Sequence, residues 1–249
     1  MRLDKYLALS GERTRSEATK LIKAGAVEVN CAIIKDGAFH ITENDEVKLL
    51  GQPVGAGGNQ YLMLYKPAGV LTAARDSRAS TVMDLVEERY ARRKVLPVGR
   101  LDKDTTGLLL LTNDGELAHR LLSPKRHVTK TYLATVTGRL EESDVAAFES
   151  GIELSDFVAM PAGLTILSAG EEESTALVDL REGKFHQVKR MFLARGHEVI
   201  TLHRPVFGPL HLDEALSPGQ YRELTPEEIA ALKKCAGLSD GDGKEDSHG

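Results

Sequence analysis

The sequence has no tryptophan and only two cysteines, Cys31 and Cys235, at opposite ends of its 249 residues. Two distant thiols exclude a disulfide framework and a cysteine-rich zinc site. The eight histidines do not fill that gap, because no pair has metal-ligand spacing. No metal site is therefore expected; no cofactor is expected either. Nor is there an apolar run near the roughly 18 residues a membrane span requires. The densest stretch is Gly107-Leu-Leu-Leu-Leu-Thr112. The opening residues, Met1-Arg-Leu-Asp-Lys-Tyr6, are charged and already periodic, unlike a signal peptide. A cytoplasmic protein with no membrane contact is expected. Ser123 has no His/Asp arrangement around it, so a serine hydrolase is not supported.

What is present is an ordinary globular composition, 41% hydrophobic and 28% charged, with a net charge of −5. The sign argues against a nucleic-acid partner until its location is considered. Residues 213–249 hold nine acidic and four basic side chains and account for all of it. Elsewhere basic residues cluster: six against three acids in 1–24, and six against two in 89–104. Four against none follow in 120–130, and five against one in 181–197. Salt screens fields beyond about 8 Å, so phosphate binding follows such patches rather than the total. Any one cluster suits a solvated face equally well.

Residues 51–60 contain four glycines and a proline without an apolar period, the composition of a flexible linker. They separate a first domain, 1–50, from a larger one, 61–237; the polar tail 238–249 is expected to be disordered. In the first domain Leu3, Tyr6 and Leu7 predict a short helix. Thr14-Arg-Ser-Glu17 has capping-box spacing, opening a helix with Ala18, Leu21 and Ile22 inward and Gly25 as its left-handed stop. Arg13 and Arg15 stand at its entrance, with Lys20 and Lys23 opposite the apolar stripe, free to meet phosphates. Strand patterns follow at 26–30 and 45–49. In the larger domain six strand-like runs outnumber the helical patterns and do not alternate strictly with them. That predicts an α+β fold with a mixed, mainly antiparallel sheet and flanking helices.

The most informative stretch is Val98-Gly-Arg-Leu-Asp-Lys-Asp-Thr-Thr-Gly-Leu-Leu-Leu-Leu-Thr112. A buried strand is preceded by a loop with two aspartates, where a rigid scaffold commonly presents catalytic groups. Asp102, near cations and partly out of water, would stay ionised and suit a nucleophile or base. An ordinary aspartate-rich turn is the alternative. Three further pieces bear on it: Tyr65-Lys-Pro-Ala-Gly69, Lys130-Thr-Tyr132 and Glu182-Gly-Lys-Phe-His-Gln-Val-Lys-Arg-Met-Phe192. The last predicts a helix on which Lys189 sits at the core's edge, within reach of a buried carboxylate.

The first domain resembles the S4 RNA-binding domain through Arg2-Leu-Asp-Lys5-Tyr-Leu, Arg13-Thr-Arg-Ser-Glu-Ala, Leu21-Ile and Gly25-Ala-Val-Glu-Val-Asn30. Where that family has a glycine after the asparagine, Cys31 stands here. The resemblance implies that Arg2, Lys5, Arg13, Arg15, Lys20 and Lys23 contact RNA. The larger domain resembles a pseudouridine synthase catalytic domain through Lys66-Pro-Ala-Gly-Val, Gly99-Arg-Leu-Asp-Lys-Asp-Thr-Thr-Gly-Leu, Lys130-Thr-Tyr and Gly183-Lys-Phe-His-Gln-Val-Lys-Arg-Met. Together they are similar to the RsuA branch, the small-subunit ribosomal RNA pseudouridine synthases. The resemblance implies Asp102 as catalytic aspartate, Tyr132 packed on the target base, and Lys189 paired with Asp102. It further implies uridine 516 of 16S RNA as the target, on naked RNA or a pre-30S particle, and a monomeric enzyme. Arg100 would either fill the space left by the extracted base or contact a phosphate only. A large-subunit (23S) synthase of the same branch and a non-catalytic assembly factor are the competing readings.

Overall fold

The computed structural model describes residues 1–10, 13–42, 45–54 and 58–238. The tail beyond Leu238 and the centre of the expected linker, residues 55–57, lie outside the described residues. The chain forms two compact units: Met1–Gln60 with Val86–Leu96, and Tyr61–Leu85 with the residues from Pro97 onward. The expected boundaries placed 86–96 in the larger domain, 61–237; its contacts put it with the first unit. There the Arg93 guanidinium donates to the Ser10 carbonyl oxygen. Arg89 and Arg92 pair with Glu87 and Glu88, so this part of the 89–104 cluster is largely engaged locally.

In the first unit, helices Leu3–Leu9 and Arg15–Lys23 cover a small antiparallel sheet. Its strand order is Ala32–Ile33, Val27–Val29, Val47–Leu49, Gln52–Pro53. Leu3, Leu7, Ala18, Ile22, Val27 and Val47 make the core. The capping box forms as the spacing predicts: Thr14 Oγ1 accepts from Glu17 N, and Glu17 accepts from Thr14 N at 2.7 Å. Gln52–Pro53 corrects the expected linker. It pairs with Lys48 and Leu49, and a proline is tolerated because the strand is at the sheet's edge.

The Val29-to-Ala32 hairpin turns through Asn30 (φ 50°) and Cys31 (φ 65°). Two-residue hairpins of this hand need positive φ at both positions, and asparagine then glycine satisfies it best. Asn30 adds a side-chain clasp, donating to Asp45 Oδ1 at 2.6 Å and accepting from Glu46 N at 2.9 Å. Cys31 is the strained member. Cys31→Gly should raise stability by about 1 kcal/mol, since a side chain costs roughly that much in the left-handed region. Thermal denaturation of the full chain measures it, and an unchanged midpoint would locate the strain elsewhere.

The second unit is built on a nine-stranded sheet. Its main path runs Tyr221–Glu223, Tyr61–Lys66, Thr106–Thr112, Val199–Phe207, Lys130–Thr137, Glu173–Leu180, Gly163–Ala169. Neighbours on that path are antiparallel except Thr106–Thr112 against Val199–Phe207. The expected α+β architecture with a mixed sheet is what the chain adopts. Thr106–Thr112 is covered on both faces, which is why it reads as a continuous apolar run rather than an alternation. Leu108 and Leu110 pack with Met63, Leu117, Leu121 and Phe207. Helices Gly115–Leu122 and Pro226–Cys235 supply part of that cover.

Candidate active site

The loop ahead of Thr106–Thr112 is fixed from three directions. Leu101 is buried, and Thr72 Oγ1 both donates to its carbonyl (2.7 Å) and accepts from its N–H (3.2 Å). Gly69 N donates to Lys103 O at 2.8 Å. The fully buried Lys66 donates from Nζ to the carbonyls of Pro67, Lys103 and Thr105, at 3.0, 3.2 and 2.9 Å. Burial pushes its ammonium down to about 8, against the raising influence of Asp104 and Asp102. Three carbonyl acceptors hold that ammonium between two segments of chain. The Lys66-Pro-Ala-Gly69 motif is thus the anchor of the aspartate loop, and Thr105 N closes the turn onto Asp102 O at 3.1 Å.

Asp102 presents a partly exposed carboxylate at this turn. His186 Nε2 lies 3.5 Å from its Oδ1, and Lys189 Nζ 3.8 Å from its Oδ2. Lys189 makes its short contact with Asp104, 2.6 Å to each oxygen. The expected Lys189–Asp102 pair is present at 3.8 Å, with Asp102 the second, longer partner of a lysine held first by Asp104. The reason is local: Asp104 lies two residues on, on the more exposed side of the turn, where it can chelate the ammonium with both oxygens. That hydrogen bond holds the Asp104 carboxyl below its usual range. His186 adopts φ 49° at the start of helix Gln187–Ala194, and its ring stacks on Phe185 with centroids 3.8 Å apart.

Burial alternates along Lys130–Thr137, so Lys130 and Tyr132 face inward together. Arg204 Nη1 approaches the Tyr132 hydroxyl at 3.4 Å. Asp102, Arg100, Lys130, Tyr132, Arg204 and Phe185 line one cleft of about 380 Å³. The structure thus brings Asp102, Tyr132 and the exposed Arg100 to one cleft, with Lys189 at its edge through Asp102. Lys66, Asp104, Lys130, Arg204 and His186 join the site without having been singled out in the sequence as site residues. Lys130 had a signal, since two residues along a strand means the same face as Tyr132. Arg204 had one too: a lone cation in an apolar strand pattern. Among the described residues no group of three His, Cys, Asp or Glu is placed to hold a metal ion.

The six basic candidates of the first unit divide in two. Arg2 and Arg15 both engage the buried Asp4, at 2.9 and 3.3 Å. The hydrogen bond from Arg2, aided by Arg15, pulls the Asp4 carboxyl down to about 2. Arg15 was expected to contact RNA; it instead meets Asp4, which comes from the other helix. Arg13 is partly buried, whereas Lys5, Lys20 and Lys23 are exposed.

Residues 60–194 match the RNA pseudouridylate synthase family, and residues 1–47 the S4 domain. The chain belongs to the RNA pseudouridylate synthases. It is 45% identical over 236 residues to an uncharacterized RNA pseudouridine synthase of Bacillus subtilis, covering 94% of this chain and 99% of that one. A ribosomal small subunit pseudouridine synthase A of Vibrio cholerae is 42% identical, covering 94% of this chain and all of its own. A ribosomal large subunit pseudouridine synthase B of Bacillus subtilis is 40% identical, with 94% and 96% covered. A crystal structure of a pseudouridylate synthase superimposes with a TM-score of 0.66 at 41% identity, covering 93% of this chain and 99% of that one. The chain is therefore a pseudouridine synthase with an N-terminal S4 domain, an isomerase acting on RNA. No helix among its described residues is long and apolar enough to cross a membrane.

Proposed function

We propose that this pseudouridine synthase isomerises a uridine of small-subunit ribosomal RNA, uridine 516 of the 16S molecule, with Asp102 as its catalytic aspartate. The observation that carries this is the convergence of a loop-anchored Asp102, an inward-facing Tyr132 and a row of cations on one cleft. The small-subunit target is supported by 42% identity, end to end, to an enzyme named for that subunit. The reaction breaks the C1′–N1 bond, turns the uracil and rejoins it through C5. It needs a carboxylate at the sugar and a flat apolar surface to hold the loosened base. Asp102 supplies the first, attacking the ribose or taking a proton from it; the Tyr132 ring supplies the second. Lys189 and His186, 3.8 and 3.5 Å from its oxygens, aim Asp102, while Arg100 at the cleft mouth meets RNA. The enzyme works in the cytoplasm as a monomer, on ribosomal RNA or an assembling small subunit. The unit around residues 1–50 supplies RNA affinity and the block from 61 to 237 the chemistry.

The 40% identity to a large-subunit synthase makes a 23S target the specific competing reading. Mapping pseudouridines in both ribosomal RNAs from a strain lacking this protein separates them. Loss of one modification from the small-subunit RNA is expected; loss from the large-subunit RNA alone would reassign the target.

Affinity should be distributed over the exposed lysines rather than the arginines tied to Asp4. Replacing Lys20 and Lys23 together by alanine should flatten log affinity against log salt by about one to two units. Binding should weaken for many RNAs alike, with turnover at saturating RNA little changed. A salt titration reads this, and an unchanged slope would mean that this helix face is merely solvated.

A further inference from the structure

Among the described residues, two cations in the cleft wall have no carboxylate to balance them. Lys130 is 6% exposed and Arg204 3%, and both line the cleft that holds Asp102. Arg204 Nε donates to Leu108 O at 2.9 Å and Nη1 approaches the Tyr132 hydroxyl, but Nη2 is buried without an acceptor. Among the described residues no carboxylate is within ion-pair distance of either side chain. The Phe207 ring lies beside both, its centroid 5.7 Å from Lys130 Nζ and 5.1 Å from Arg204 Cζ. Cys235 also faces Lys130, and burial raises its thiol, so it offers no anion at neutral pH. Burial, with Arg204 adding to it, pushes the Lys130 ammonium down to about 8. A buried charge costs stability unless it is paired, and two like charges side by side cost more. Neither residue is needed to fill the wall, which an apolar side chain would do more cheaply. The Arg204 guanidinium fork with a free Nη2, next to an ammonium, matches an anion with two or more oxygens.

We propose that Lys130 and Arg204 form the site for one backbone phosphate of the RNA, at a linkage close to the uridine that enters the cleft. This rests on the reading that the cleft receives a uridine. A phosphodiester fits better than the base itself. Uracil carbonyls are neutral and would leave two buried positive charges uncompensated, whereas a phosphate brings a full negative charge and two free oxygens. The anion then sits on the wall beside Tyr132, and the ribose attached to it is held within the cleft that Asp102 lines. Lys130 and Arg204 are on this account binding residues that position the sugar.

The test uses the full chain and a small-subunit ribosomal RNA fragment carrying a neutral methylphosphonate at each linkage in turn. Lys130→Met should weaken binding of the unmodified RNA by about 10- to 100-fold, the range for losing one charge-assisted hydrogen bond. At one linkage the neutral substitution should weaken binding by the parent chain comparably. At that linkage alone Lys130→Met should then add less than about threefold, because partners in one contact are not additive. Arg204→Met should show the same coupling; should it not fold, Lys130→Met still decides. Binding of Lys130→Met within about twofold of the parent, or additive losses at every linkage, would overturn the assignment. Affinity is read apart from turnover. RNA that binds but is not isomerised would count against the uridine reaction, while the coupling would still decide the phosphate site.

Discussion

Asp102→Asn should fold and bind RNA as the parent chain does and lose turnover by about 10⁴-fold or more, the scale seen when a covalent nucleophile is removed. Folding is expected to survive for a geometric reason. The amide is nearly isosteric, and Lys189 keeps its shorter bonds to Asp104 when the charge on Asp102 is gone, so no cation is stranded. The loop does not rely on the carboxylate either. It is pinned through main-chain groups by Thr72, Gly69 and Lys66. What is lost is the carboxylate on that turn that lines the cleft and lies 3.5 Å from His186. Single-turnover kinetics on saturating RNA measures it. Activity within about tenfold of the parent would move the chemistry to Asp104, which lies 2.6 Å from Lys189 and would have to leave it.

Gly107→Ala should be the most destabilising single change in the catalytic unit, costing about 4 kcal/mol or more. Gly107 has φ +113°, where side chains are strained. An added Cβ would also lie 2.5 Å from the backbone nitrogen of Arg204 and 2.8 Å from its carbonyl carbon, and closer still to the oxygen. Those atoms are main chain and cannot swing aside as a flexible side chain could. Relief would require separating Thr106–Thr112 from Val199–Phe207, the one parallel pairing on the sheet's main path. That pairing carries the aspartate loop at one end and presents Arg204 to Tyr132. Turnover should therefore fall together with stability. A shift in the denaturation midpoint worth less than about 1 kcal/mol would mean that the two strands are farther apart than described.

The parts of this fold that were legible in the sequence are those with local causes. The Thr14 capping box was readable because its partners are three residues apart, and it forms. The inward face of Lys130–Thr137 and the double cover of Thr106–Thr112 follow from the period of the apolar residues. Val82–Leu85 is a 3₁₀ turn and Glu88–Arg92 a separate short helix, a break that no glycine or proline between them marks. Gln52–Pro53 was unreadable, since its glycine- and proline-rich neighbourhood looks like coil and only pairing with Lys48 and Leu49 makes it a strand. In the site, the motif residues Asp102, Tyr132 and Lys189 were visible as types at recognisable spacing. Beyond the Lys189–Asp102 pair, the partnerships around them were not. Asp4 meets Arg15 from a different helix, Lys66 reaches Lys103 and Thr105 across 37 and 39 residues, and Arg204 reaches Leu108 across 96. Such contacts are products of the sheet order, which no local pattern encodes.

The most direct test of the central claim is tritium release from small-subunit and large-subunit ribosomal RNA transcripts labelled at uridine C5. The purified full chain should release label from the small-subunit RNA to a plateau of one uridine per molecule, and Asp102→Asn should release none over the same time. Release from the large-subunit RNA alone, or equal release by Asp102→Asn, would contradict the account.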